Sequence, residues 1–375
     1  LKVTYISACF NASGYSDSAR NYIMALTYRG LGVEVVPLNF EKFKSDHGKV
    51  GQLIKNMICH KPTADIQIIH TVPDVFDQFI DSRKYNIGYT VWETDRLPKP
   101  WVEKINRLDE VWVPTQYNYE VFKSSGINIP IVVIPHTFSR KIFEEETSEV
   151  SIQGVNSGDY IFYSIFQWLE RKNPVSILKA YLTEFDVSEN VCLVLKTYLY
   201  NPEDASEKEK IRKAIDDVKF KLRLSSYPKI LLVADILTKP QIHAVHKSCD
   251  CYLSFHRSEG WGIPLTEAMM AGNPVISTDY SGSKDFINQQ TGFPIDYQLT
   301  PVYGMPWEAY TGDMVWGDID IIKARQKMRW AFKNKGQAKA VGSIGKQFVD
   351  NNLSWETIGQ LMKNRLEEIS ANRRR

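Results

Sequence analysis

Glu259 and Glu267 stand with seven residues between them, among them Gly260, Trp261 and Gly262. Glycines at 260 and 262 let the backbone approach a ligand closely. Pro264 occupies a favoured first-turn position and opens a helix after an apolar run that ends near Phe255. A helix N-terminus offers N–H groups and a positive dipole end, which suits a diphosphate. Glu259 falls in the loop and Glu267 one turn into the helix, so the two carboxylates need not address the same atoms. Each can accept paired hydrogen bonds from vicinal hydroxyls, one set from a sugar and one from a ribose. The plainer alternative is a loop carboxylate and a dipole-complementing helix carboxylate, the default for an isolated pair. The intervening glycines, the preceding strand and a basic dipeptide upstream weigh against it.

That dipeptide is Arg171–Lys172, which follows the apolar run 160–165. At the carboxyl edge of a parallel sheet it is placed to neutralise phosphates, although a solvated charge pair is the usual fate of such residues. Lys196, after the run 191–195, is a third cationic candidate, and Arg257 reads as a salt-bridge partner. In the first half, Gly14 lies in the first strand–helix loop, and His70 ends a strand where a core role is equally open. Three other patterns mimic sites. His243, His246 and Cys249 have helical metal-ligand spacing, but the segment reads as a helix packed on a sheet, with no carboxylate or further ligand expected to complete a set nearby. Asp318 and Asp320 precede a helix and read as a cap. The charge-alternating stretch 207–221 reads as a solvated helix face.

Apolar runs of strand length alternate with helix-period segments along most of the chain. Strands are expected at 3–7, 33–37, 66–70, 87–92, 110–114 and 130–135, then at 160–165, 191–197, 230–234, 251–255 and 274–278. Helices such as 16–29 and 116–125 stop at Gly30 and Gly126. The last third is helix-rich, with helices expected at 321–333, 337–351 and 355–370. A polar stretch at 140–159 reads as a linker. The expected class is α/β, two doubly wound Rossmann-like domains facing a central cleft, at 1–150 and 151–340. Residues 341–375 are expected to return as helices to the first domain.

The chain has 375 residues, 43% of them hydrophobic and 24% charged, with a formal net charge of +2. That length accommodates two cores. The charge gives no reason to expect nucleic acid as a partner, nor a polybasic anchor. Five scattered cysteines, Cys9, Cys59, Cys192, Cys249 and Cys251, lack framework spacing and fit a reducing compartment. The opening Lys2–Ile6 is strand-like, so no leader is expected, and no apolar run approaches membrane-spanning length. A start at Leu1 suggests a piece of a longer chain. The expected setting is cytoplasmic, with room for peripheral membrane contact.

The stretch around Glu259 and Glu267 resembles the Glu-x7-Glu signature of retaining glycosyltransferase family 4. Residues 267–278 resemble that family's helix–Gly–strand continuation, and residues 281–286 and Thr291-Gly292-Phe293 its next landmarks. Residues 170–174 resemble its phosphate loop. Ser13-Gly14-Tyr15, Ala19-Arg20 and residues 89–95 are similar to a bacterial surface-polysaccharide branch. The resemblance implies the GT-B fold and metal-independent transfer of a hexose-type sugar from a UDP- or GDP-sugar. The acceptor would be a hydroxyl of a glycan, glycoconjugate or glycoprotein. No cofactor is implied beyond the nucleotide sugar, which is substrate.

As site residues the resemblance implies Glu259, Lys172 and Arg171 in catalysis. Glu267, Gly260, Trp261, Gly262, Ile263, Leu265, Lys196 and Leu237 would hold the donor, and Gly14, His70 and Glu93 would lie on the acceptor side. The leaving diphosphate would be stabilised by Lys172, Arg171 and the N–H groups of Gly262 and Ile263. The chain departs from the family pattern at Gln167, where an Arg is usual, and at Trp92–Glu93, where many members have a His. Two rival readings stand beside this one. A glycoside hydrolase could use the glutamates as an acid and nucleophile pair, but has no need of glycine and phosphate loops. A degenerate sugar-binding module would fit the two departures.

Overall fold

Six apolar runs of the first part form strands β1 (Lys2–Ser7), β2 (Gly32–Pro37), β3 (Ile66–His70), β4 (Tyr85–Tyr89), β5 (Glu110–Val113) and β6 (Ile131–Val133). All pair in parallel, in the order β2-β1-β3-β4-β5-β6. The structure is a computed structural model and describes residues 1–11, 13–38, 48–145, 152–201 and 204–373. Parallel strands are covered on both faces, which is why β3 reads Ile-Gln-Ile-Ile-His and is buried throughout. The intervening helices start and stop where the sequence provides caps. The Ser13 hydroxyl accepts the Ser16 N–H at 3.3 Å ahead of the helix Gly14–Tyr28, and Gly30 follows that helix with φ 79°. Thr115 caps Gln116–Ser124 in the same way, and Gly126 follows with φ 98°.

This sheet belongs to a unit made of Leu1–Ile142 and Val349–Arg375. The terminal helix Trp355–Arg373 therefore packs on the first sheet's helices. Ile358, Met362, Leu366 and Ile369, spaced three or four apart, share a core with Ile23 and Leu26. Gly359 sits so close to the helix Gly14–Tyr28 that an added Cβ would lie 2.6 Å from the Ala25 carbonyl oxygen. Arg365 also reaches the fully buried Glu110, with Nε 3.0 Å from Oε1, while Trp112 Nε1 donates to the same oxygen at 2.6 Å. Removing the guanidinium strands a buried carboxylate. Arg365→Ala is therefore expected to destabilise folding by about 3–5 kcal/mol in denaturant titration.

The second unit, Phe143–Phe348, holds the other sheet. Its strands are β7 (Tyr160–Gln167), β8 (Val191–Tyr198), β9 (Lys229–Val233), β10 (Cys251–Ser254), β11 (Val275–Thr278) and β12 (Phe293–Ile295). They pair in parallel in the order β12-β11-β10-β7-β8-β9. The sequence stretch expected as a linker opens with a short helix, Arg140–Glu145, and its residues 146–151 lie outside the described residues. The helix Lys335–Asn352 runs across the other boundary between the units.

The last third also contains an antiparallel hairpin that the periodicity did not indicate, β13 (Tyr297–Pro301) with β14 (Val315–Ile319). Asp318 lies in β14, so it is Asp320 alone that caps the following helix, accepting from Ile322 and Lys323 at 2.9 and 3.1 Å. The apolar runs fix strands buried on two faces, whereas β13 is largely exposed and carries no such run.

Candidate functional site

After β7 the chain moves to β8 on one side, and later to β10 on the other. The connections that follow β7 and β10 therefore run to opposite sides of the sheet, which makes this the topological switch point where ligands of doubly wound sheets bind. The first loop forms the short turn Glu170–Lys172, followed by Asn173 in the left-handed region at φ 54°. Asn tolerates that conformation better than most residues. The second loop runs from Phe255 to Gly262 and enters the helix Ile263–Met270.

Arg257 ties the two loops together. Its backbone N–H donates to the Arg171 carbonyl at 2.7 Å, Nη1 lies 3.0 Å from Glu170 Oε2, and Nε lies 3.1 Å from Asp318 Oδ1. Asp318 also accepts from Asn173 Nδ2 at 3.0 Å. Arg257 is thus the salt-bridge partner the sequence indicates, and the second half of the Asp-x-Asp pattern is a helix cap.

The two loops bring together Glu259, Arg171 and Lys172. The Glu259 carboxylate is only 6% exposed; Arg171 Nη1 lies 3.1 Å from Oε2, and Lys172 Nζ contacts Oε1. Burial pushes this carboxyl up, but Lys172 and Arg171 outweigh it and hold it at about 2. Because the folded value lies below the ordinary one, the pairing adds stability above the usual carboxylate range. That contribution is lost as the pH falls towards about 2. Arg171 and Lys172 both face this one carboxylate, which gathers two cationic side chains at one point of the loops, a local setting suited to an anion. Gln167, standing where an Arg was looked for, instead donates to the Leu199 carbonyl at 2.6 Å. Arg171 is the second cation.

Glu267 is equally buried, but with different partners. Lys239 Nζ contacts Oε1, and His246 Nε2 lies 3.4 Å from Oε2. Burial raises this carboxyl, and Lys239 followed by His246 overcomes it, leaving it well below the usual range. Glu267 reaches His246 through the packing of two helices distant in sequence. His243 packs against Phe143 with ring centroids 4.6 Å apart and the planes tilted by 46°. Among the described residues, no group of three or more His, Cys, Asp or Glu side chains could hold a metal ion.

The loop after β10 is fixed from behind. The Glu259 N–H donates to Ser281 Oγ at 2.7 Å, and the Gly282 N–H to the Glu259 carbonyl at 2.9 Å. A Cβ on Gly282 would overlap the Gly260 carbonyl, so this contact demands glycine. Gly262 has φ 97°, and a Cβ there would lie 2.7 Å from Leu265 Cδ1. Trp261 packs on Phe286 with centroids 4.7 Å apart, and Leu265 is buried, so their side chains brace the loop. The first-turn N–H of Ile263 lacks an intrahelical acceptor by helix geometry. His256, missed in the sequence, bridges Ser254 Oγ at 2.9 Å and Ser283 Oγ at 3.1 Å. Burial lowers it to about 4, so it is neutral at pH 7.

Lys196 lies two residues before the end of β8 and is only 7% exposed, its Nζ 5.6 Å from the Tyr198 ring centroid. Burial, offset by Asp235, lowers it to about 8. Leu237 lies half-buried in the loop between β9 and the helix Lys239–Ser248. Gly14, His70 and Glu93 belong to the first unit, at or just beyond the carboxyl ends of β1, β3 and β4. Gly14 is exposed at its helix start. His70 is buried among tyrosines, with Nδ1 2.8 Å from Tyr5 Oη and its ring 4.4 Å from that of Tyr89. The Glu93 carbonyl accepts from Tyr117 Oη at 3.3 Å.

The family profile "Glycosyl transferases group 1" matches residues 145–297, the part that carries both glutamates and the basic turn. No curated protein sequence matches the chain. Solved structures match along its whole length. Sucrose-phosphate synthase from Thermosynechococcus elongatus aligns with TM-score 0.71 at 13% identity, covering 99% of each chain. A glycosyltransferase from Rickettsia africae aligns with TM-score 0.67 at 14% identity, again covering 99% of each. The Anabaena protein HepE, in complex with UDP and glucose, aligns with TM-score 0.64 at 14% identity, over 98% of this chain and 100% of that one. No helix among the described residues is long and apolar enough to cross a membrane. The chain thus has the GT-B fold of glycosyltransferases, and its residues 145–297 carry a match to the group 1 glycosyl transferase domain.

Proposed function

We propose that this protein is a retaining glycosyltransferase of family 4 type, moving a hexose-type sugar from a UDP- or GDP-sugar to an acceptor hydroxyl. The observation that carries this reading is the pairing of Arg171 and Lys172 with the buried Glu259, four residues ahead of the helix Ile263–Met270. A diphosphate placed there meets two cations and a helix N-terminus. As the bond between sugar C1 and the phosphate oxygen lengthens, negative charge builds on the diphosphate, and these groups stabilise it. Glu259 then orients sugar hydroxyls, and Glu267 receives those of the ribose. The departing phosphate oxygen takes the acceptor proton. The HepE complex with UDP and glucose supports this choice of donor class. The acceptor class is a glycan, glycoconjugate or glycoprotein, as in surface glycan synthesis, and the setting is cytoplasmic.

In this account the cations of the protein do the work that a divalent ion does in other transferases. Nucleoside diphosphate release from the productive nucleotide sugar is expected to persist in excess EDTA. Loss of that activity, with recovery on adding manganese, would overturn the phosphate site described above.

A further inference from the structure

We propose that His246 is a positioning residue for the donor ribose: held by Tyr163 and Asn273, it fixes the carboxylate of Glu267 that receives the ribose hydroxyls. The inference rests on the reading of Glu267 just given. Its basis is a chain of hydrogen bonds in which each partner dictates the next. Lys339 Nζ donates to Asn273 Oδ1 at 3.2 Å, which sets the orientation of that amide. Asn273 Nδ2 then donates to Tyr163 Oη at 2.9 Å and to the His246 carbonyl at 2.6 Å. With its oxygen accepting, the Tyr163 hydroxyl points its proton at His246 Nδ1, 2.8 Å away. Nδ1 is therefore the acceptor nitrogen, and the ring proton sits on Nε2, the atom facing Glu267 Oε2.

The surroundings agree with a neutral ring. His246 is completely buried, with the Tyr163 ring at 5.4 Å and the Tyr252 ring at 5.9 Å. Burial lowers its pKa, opposed by the neighbouring Glu267 carboxylate, which is the polar group that His246 Nε2 approaches, at 3.4 Å. A neutral imidazole supplies direction to Oε2, while Lys239 supplies charge to Oε1. Lys239 is itself located by the capping box of Thr238 and Gln241, in which the Thr238 N–H donates to Gln241 Oε1 at 2.8 Å. Each oxygen of Glu267 retains acceptor capacity, so the carboxylate presents a preset pair of sites for a vicinal diol.

The test is calorimetric titration of UDP, GDP and inorganic pyrophosphate into the intact protein and its variants, at matched folding stability. His246→Leu is expected to weaken whichever of UDP and GDP the wild type binds by about tenfold. Pyrophosphate, which lacks ribose, should bind as before. His246→Gln, which keeps an N–H donor, should recover most of the loss, and Tyr163→Phe should reproduce part of it. In a Glu267→Ala background, His246→Leu should cost nothing further, because the two residues act as one. Equal losses with and without Glu267, equal weakening of pyrophosphate, or unchanged nucleotide affinity in His246→Leu would each overturn the proposal. Failure of the wild type to bind either nucleotide would overturn the donor-site reading on which it rests.

Discussion

Lys172→Met is expected to lower turnover at saturating donor by about a hundredfold to a thousandfold, the usual effect of removing one preorganised group from a developing oxyanion. The position supports so large an effect. Lys172 sits at the end of the turn after β7, its neighbour Asn173 is locked at φ 54°, and the turn is tied to Arg257. The ammonium is therefore in place before the reaction and needs no rearrangement as charge develops on the leaving diphosphate. Affinity for the free nucleoside diphosphate should fall much less, because ground-state charge is shared with Arg171 and the helix Ile263–Met270. Glu259 would keep Arg171 as a partner in the variant, so folding should survive, and a melting curve checks this. Turnover within threefold of wild type would remove Lys172 from the chemistry.

The second large effect separates the two glutamates. On the proposed assignment Glu267 holds ribose in ground and transition state alike, so Glu267→Ala should mainly weaken binding of nucleoside diphosphate and whole donor. Glu259 lies among the phosphate cations and is assigned to the sugar as its C1 becomes cation-like. Glu259→Ala should therefore spare diphosphate affinity and depress turnover. Losing one charge-assisted hydrogen bond corresponds to about a tenfold to hundredfold change in either case. Arg171 and Lys172 lose their internal counter-charge in Glu259→Ala, which favours the diphosphate and keeps its affinity from falling in that variant. Calorimetry and initial rates on both proteins decide the matter. Equal loss of diphosphate affinity in the two variants would refute the division of labour.

Much of this was legible in residues close together in sequence. The parallel sheets follow from apolar runs buried on both faces, such as Ile66–His70, and helix ends follow from Ser13, Thr115, Gly30 and Gly126. The glycine loop between Glu259 and Glu267 and the basic dipeptide before Asn173 marked out by composition the two loops that the fold brings together. What stayed hidden depends on packing between distant segments. Lys239 carries no signal of its own and His246 reads as part of a helix packed on a sheet, and only the approach of the helices Lys239–Ser248 and Ile263–Met270 brings them onto Glu267. Ser281 adopts φ 67°, a conformation Ser seldom takes, and nothing local foretold that its hydroxyl would hold the Glu259 N–H. The passage from one unit to the other falls in the helix Arg140–Glu145, at the start of the polar stretch read as a linker, and inside the helix Lys335–Asn352, whose pattern is that of continuous helix.

The central claim is transfer from a nucleotide sugar with retention, and proton NMR of the reaction tests it most directly. The protein is incubated in EDTA with a panel of α-linked UDP- and GDP-sugars, with and without mono- and oligosaccharide acceptors, and the anomeric signals are followed. The account predicts that at least one donor loses its anomeric phosphate signal while nucleoside diphosphate accumulates, and that the first-formed product is the α-anomer. A β-anomeric first product, or no donor consumed by a protein that nevertheless binds the diphosphate, would contradict it.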